Sequence, residues 1–176
     1  MKRIYTLFLF VLVVLSGCGS QYSAEKLYWQ ASQAAKKIIK DRPLDKLKHQ
    51  DYQRIIAGYR RLAERFPLEP LSAQSQFIIA QIYILQNQFP KAEEELARVT
   101  QNFSTNAEIA SLAQFKIGVL YEHQGDWPQA MREYEKVTDL FPLSSIGLKT
   151  PLYIAEHYQR GKDEVKADNA YAKAVK

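Results

Sequence analysis

Cys18 is the one cysteine among 176 residues, and its thiol is the strongest nucleophile that the sequence holds. A single thiol closes no intramolecular disulfide, so the chain must be held by its apolar core. The three histidines, His49, His123 and His157, form no His-Glu-x-x-His pair, and with no second cysteine no metal-ligand spacing arises. Glu93, Glu94 and Glu95 make an acidic run near the start of a helical pattern, where negative charge suits the helix dipole better than it suits acid–base catalysis. His123 and His157 fall near the ends of helical patterns, where cations are favoured for the mirror-image reason. No glycine-rich phosphate loop follows a strand. The sequence therefore predicts no catalytic residue, no metal and no cofactor, and the chain is read as a non-enzyme whose chemistry is a modification of Cys18.

What surrounds Cys18 says which modification. Lys2 and Arg3 precede an apolar stretch of 12 residues, Ile4 to Leu15, the length of an export-signal core and too short to span a bilayer. Leu15-Ser16-Gly17-Cys18 follows directly. This resembles the lipobox of bacterial lipoproteins, an aliphatic residue and two small ones before cysteine. The resemblance implies cleavage after Gly17, a diacylglyceryl thioether on Cys18 and an acyl group on the new amino terminus, and several acyl chains give stable anchoring where one is marginal. It divides the chain into a signal peptide over 1–17, a lipidated linker over 18–23 and a folded domain over 24–176. By the same resemblance Gly19 implies the periplasmic face of the outer membrane in a Gram-negative envelope; in a Gram-positive cell the same signal would leave the protein on the outer face of the plasma membrane.

Charge narrows the partners. The 24 basic and 19 acidic residues give a formal charge of +5, and removal of Lys2 and Arg3 with the signal leaves 22 against 19, or +3. Basic residues are spread among Asp and Glu along the helices with no contiguous run of five or six like charges, so a phosphate-tracking stripe and a nucleic-acid partner are excluded.

From Ala24 onward apolar residues recur at spacings of three and four, with glycine and proline mostly between the periodic segments, which predicts an all-α chain. Phe66-Pro67, Phe103-Ser104 and Phe141-Pro142 close three such segments at intervals of 37 and 38 residues. A period in this range is that of a helical solenoid. Within it Ala80, Tyr83, Ala92, Leu96 and Val99 are matched by Gly118, Tyr121, Ala130, Tyr134 and Val137, and again by Ala155, Tyr158, Ala167, Tyr171 and Ala174. The pattern resembles the tetratricopeptide repeat, where a small residue lets two backbones approach and a ring fills the volume beside them. The resemblance implies a right-handed solenoid of antiparallel helix pairs, about four repeats: 24–70, 73–106, 111–144 and 148–176.

The turns agree. Gly125 suits a positive φ at a helix end, Asp126 an N-cap and Pro128 a first helical turn, and Asn87 and Pro90 repeat the arrangement. In the last copy Gly161-Lys162-Asp163 sits one residue out of step. Where many repeats of this type have a first-helix tryptophan the chain has Gln76, Gln114 and Pro151, and Ser104 replaces the closing proline. In the first repeat Ile55, Tyr59, Leu62, Phe66 and Pro67 reproduce the second helix, with Ala31 as the small residue of the first. The interval between the helices is longer there, an insertion near 41–50 that includes Pro43, Lys46, Lys48 and His49 and reads as an exposed basic connector or helix extension.

First helices of tetratricopeptide repeats line a concave surface, and counting from the small residues places Phe77, Gln81 and Ile84, then Phe115, Val119 and Glu122, then Leu152, Glu156 and Gln159, on one stripe per helix. These nine are the candidate groove for an extended or helical peptide with apolar anchors, as against a core role for Phe77 and Phe115. They lack the Lys and Asn arrangement that clamps a terminal carboxylate. A lipobox followed by such repeats with Phe-Pro closures is similar to the outer-membrane lipoprotein subunit of the β-barrel assembly machinery and its relatives. That resemblance implies a lipid-anchored protein-interaction scaffold of the cell envelope, with a docking or regulatory lipoprotein for an envelope enzyme as the alternative.

Overall fold

In a computed structural model the backbone is described for residues 2–40 and 46–174, and side chains for 20–40 and 46–173. The described residues form eight helices and no strand: α1 Lys2–Lys40, α2 His49–Arg65, α3 Pro70–Leu85, α4 Phe89–Asn102, α5 Ala107–His123, α6 Trp127–Leu140, α7 Ser145–Arg160 and α8 Glu164–Ala174. The all-α class is observed. The signal segment and the Cys18 side chain lie outside the residues whose side chains are described.

The helices fall into two compact units, 1–85 and 86–176. In the first, α1, α2 and α3 pack on one another in turn, and α1 also touches α3. In the second, each of α4 to α8 packs on its neighbour in sequence, and α5 also meets α7.

Two kinds of helix result from two kinds of apolar pattern. Second helices bury one stripe: Ala130, Glu133, Tyr134 and Val137 in α6, or Ala92, Glu95, Leu96 and Val99 in α4. First helices are buried on wider arcs, as α5 is through Ala110, Ala113, Gln114, Ile117, Gly118 and Leu120, because α5 lies between α4 and α6. Small residues permit that double contact. A Cβ on Gly118 would clash with the Tyr134 ring, 2.6 Å from its Cδ1, and that ring is wholly buried. In the first unit Ala31 of α1 meets Gly58 of α2, where a Cβ would stand 3.3 Å from the Ala31 Cβ.

The Asp126 side chain accepts a hydrogen bond from the Gln129 N–H at 3.0 Å, Asn106 from Ile109 at 3.1 Å, Ser144 Oγ from Gly147 at 2.9 Å and Asp163 from Lys166 at 3.2 Å, so the starts of α5 to α8 are capped. Gly125 has φ +77° and Asn87 has φ +55°, as the turn pattern predicts. In the last copy the left-handed residue is Lys162, φ +58°, and not Gly161. The turn geometry holds its register while the glycine stands one position early.

The insertion in the first repeat is shared out. Relative to the other pairs, α1 runs four residues further beyond its small residue and α2 begins three residues earlier, while Pro43 of the predicted insertion lies outside the described residues. Lys46, Lys48, His49 and Gln50 are exposed while Leu47 is buried. Glu93, Glu94 and Glu95 differ from the capping expectation. Helix α4 starts at Phe89 and has no acid in its first turn. Glu93 accepts a hydrogen bond from the Tyr121 hydroxyl at 2.8 Å, Glu94 pairs with Arg98, and Glu95 is buried.

Because the Tyr134 ring occupies the space of a Gly118 side chain, Gly118→Ala should destabilise the fold by about 1 to 3 kcal/mol through overpacking, despite a helix-propensity gain of about 1 kcal/mol. Urea unfolding measures it. In a Tyr134→Leu background, which reproduces the Ala80 and Leu96 combination of the second repeat, the same substitution should cost nothing or stabilise. Equal costs in both backgrounds would mean the ring is not what Gly118 accommodates.

Candidate functional site

The second unit carries a connected set of polar and aromatic groups on α5, α6 and α7. Glu122 Oε2 accepts two phenolic hydrogen bonds, from Tyr134 at 2.9 Å and from Tyr153 at 2.7 Å. His157 Nδ1 stands 3.8 Å from Glu122 Oε1. The imidazole lies flat on the Trp127 indole, centroids 3.2 Å apart and planes 3° off parallel, and the indole N–H reaches the Tyr158 hydroxyl at 3.4 Å. Phe115 packs against both Tyr134 and Tyr153, at 5.0 and 5.1 Å between ring centres. The Glu122 and His157 side chains keep 28% and 31% of their surface open to solvent, so the set reaches from a buried ring to the surface.

Its electrostatics follow from burial. Desolvation raises the Tyr134 hydroxyl far above the usual phenol range, and its hydrogen bond to Glu122 adds to the rise. Desolvation, then the bond to Glu122, likewise raises Tyr153. Tyr121, desolvated and bonded to Glu93, is pushed up to about 12. These tyrosines remain proton donors to carboxylates at any physiological pH. Desolvation pulls His157 below its ordinary value; the nearby Glu122 opposes this and Arg160 reinforces it.

Of the predicted groove residues, Phe115, Val119 and Glu122 on α5 are half-buried, and Phe115 and Val119 pack against the core of the second unit. Leu152, Glu156 and Gln159 on α7 are exposed. Gln159 accepts a hydrogen bond from Tyr171 of α8 at 3.1 Å. In the first unit Gln81 is exposed while Phe77 and Ile84 are half-buried. Accessible positions are therefore concentrated on α7. Phe115 serves the core more than the surface because the Tyr134 and Tyr153 rings close over it.

Tyr153, His157, Trp127 and Tyr134 were not among the predicted groove residues. Tyr153 and His157 are four apart, one position beyond Leu152 and Glu156, and they turn towards Glu122 of α5 because α5 and α7 are in contact. The signal for them was the pairing of ring residues on one helix with an acid on the other.

Gln114, where many repeats of this type have tryptophan, also finds its explanation. Gln114 donates from Nε2 to the buried Glu133 Oε2 at 2.6 Å, and Glu133 also takes Gln129 at 3.1 Å and Lys136 at 2.8 Å. Buried carboxylates persist where such partners satisfy them. Gln76 and Glu95, both buried, stand at the same places in the second repeat, while the fourth has Pro151 and Ala170.

A family model described as a tetratricopeptide repeat-like domain matches residues 2–176. The chain belongs to this tetratricopeptide repeat-like family. No curated protein matches the chain. Membership makes it a protein-interaction repeat domain, and no catalytic family is identified in it. Among the described residues no three His, Cys, Asp or Glu side chains gather as metal ligands, and no helix is long and apolar enough to cross a membrane.

The unfolded His157 takes up its proton near the ordinary pKa of 6.5, and the folded one only at lower pH. The unfolded state therefore binds more protons as pH falls through 6.5, and stability declines there until the folded group also titrates. His157→Phe keeps a ring on Trp127 and removes this dependence. Melting temperatures taken from about pH 8 down to about pH 5 should show the variant gaining on the parent below pH 6.5; parallel curves would refute the burial effect.

Proposed function

We propose that this repeat domain is a lipid-anchored scaffold on the periplasmic face of a bacterial outer membrane, where it holds protein partners of an outer-membrane assembly complex. The observation that carries the interaction surface is the row Leu152, Glu156 and Gln159, exposed on α7, the helix whose Tyr153 holds the Glu122 carboxylate. An apolar anchor flanked by an acid and an amide suits an extended or helical peptide with basic character. Anchoring is supported by the apolar run Ile4 to Leu15 and by Leu15-Ser16-Gly17-Cys18. On this reading the chain supplies docking and no chemistry, and its partners supply the activity.

Affinity capture from detergent-solubilised envelopes tests it. Leu152→Ala combined with Glu156→Lys should reduce the partner recovered by roughly tenfold, a loss of about 1.4 kcal/mol. Exposed substitutions of this kind leave stability within about 0.5 kcal/mol, so an unchanged melting curve must accompany the loss. Barrel-assembly subunits as prey support the assembly role; an envelope hydrolase as prey would favour the docking alternative; undiminished capture would move the binding surface off α7.

The anchor has its own test. Cys18→Ser should leave a full-length precursor that is neither acylated nor cut before residue 18, as read by intact-mass spectrometry. An acylated Cys18→Ser protein would overturn the assignment.

A further inference from the structure

Helix α1 packs into its unit through alanines: Ala24, Ala31 and Ala35 are all buried, Ala31 against Gly58. The side of the helix turned away from them carries exposed rings and lysines. Tyr22 is 69% exposed and Trp29 61% exposed. At spacings of three and four they share that side with Lys26, Lys36, Lys37 and Lys40, all exposed. Over residues 20–40 of α1 the acid is Glu25, which stands at the edge of this stripe near its N-terminal end and accepts a hydrogen bond from Gln21 at 3.1 Å. The stripe from Tyr22 to Lys40 runs about 27 Å along the helix at 1.5 Å per residue.

We propose that this face of α1 lies on the surface of an anionic lipid bilayer, with Tyr22 and Trp29 seated at the headgroup level and the four lysines over lipid phosphates. Indole and phenol rings with one apolar body and one polar edge favour that depth, and lysine stems bury their methylenes while the ammonium stays among headgroups. Four lysines without an acid between them match a negative surface potential. They are poorly matched to a protein interface, whose buried centre is depleted of lysine. The stripe begins four residues after Cys18, so an anchor there would bring it to the bilayer. This inference rests on the anchored reading for its proximity to a membrane, and the lysine and ring pattern is its separate support.

The full chain is mixed with vesicles of phosphatidylcholine alone, or of phosphatidylcholine and phosphatidylglycerol in equal parts, with bromine on the acyl chains as a fluorescence quencher. Trp29 and Trp127 are the two indoles. Quenching is expected on the anionic vesicles, absent from Trp29→Phe, and weakened when lysines are replaced by glutamine. Each lysine removed should lower binding at the surface about fivefold, equivalent to about 1 kcal/mol. If the chain sediments with both kinds of vesicle but Trp29 is not quenched on the anionic ones, the proposed face is wrong and the anchor stands. If it binds only anionic vesicles, with Trp29 quenched and with loss at high salt, the face is right and the anchor fails. Association with neither overturns both.

Discussion

The close passage of α5 over α6, where the Tyr134 ring fills the space that a side chain on Gly118 would need, is the contact on which the second unit depends. It brings the Tyr134 hydroxyl to Glu122 at the end of α5. The same Glu122 oxygen takes the Tyr153 hydroxyl of α7, and His157 one turn on rests on Trp127 of α6. One omitted methyl group thus permits a buried ring, a shared carboxylate and the alignment of three helices. Ring burial supplies the stability, while the hydroxyl bonds remove the cost of burying polar atoms.

In the third repeat a buried glutamine and a buried glutamate satisfy each other. Gln114 and Glu133 occupy a layer where related repeats place a large ring, and Lys136 completes the charge balance from the solvent side. Two partners exchanged together cost little, whereas one exchanged alone leaves a buried donor or acceptor orphaned. The second repeat has both polar members and the fourth has neither. The fourth repeat is also the one whose left-handed turn residue is a lysine, so its departures are local and leave the helix register intact.

Much of this was legible in the sequence. Helix pairing, the small residues at crossings and the turn pattern all follow from spacing, because each depends on contacts between residues of one hairpin. The groove was only partly legible. Phe115 and Leu152 occupy equivalent positions in the repeat, yet Phe115 is covered by Tyr134 and Tyr153 while Leu152 is exposed. That difference is set by what the following helices place above each, which a count along one helix does not contain. The acidic run in α4 was misplaced for a simpler reason: the helix begins four residues before Glu93, so the dipole argument applied to the wrong turn.

Glu122 has a consequence for recognition beyond its place in the packing. Two phenols hold one of its oxygens from opposite helices, and neither phenol loses its proton at any pH a cell reaches. The carboxylate is therefore fixed before a ligand arrives, and its other oxygen faces the half-exposed imidazole. A basic group entering from solvent would meet a charge whose rotamer entropy is already spent, so little of the binding free energy would be consumed in ordering the receptor. Discrimination among ligands at that point would come from geometry more than from adaptation, a stiffness unusual for an acid so near the surface.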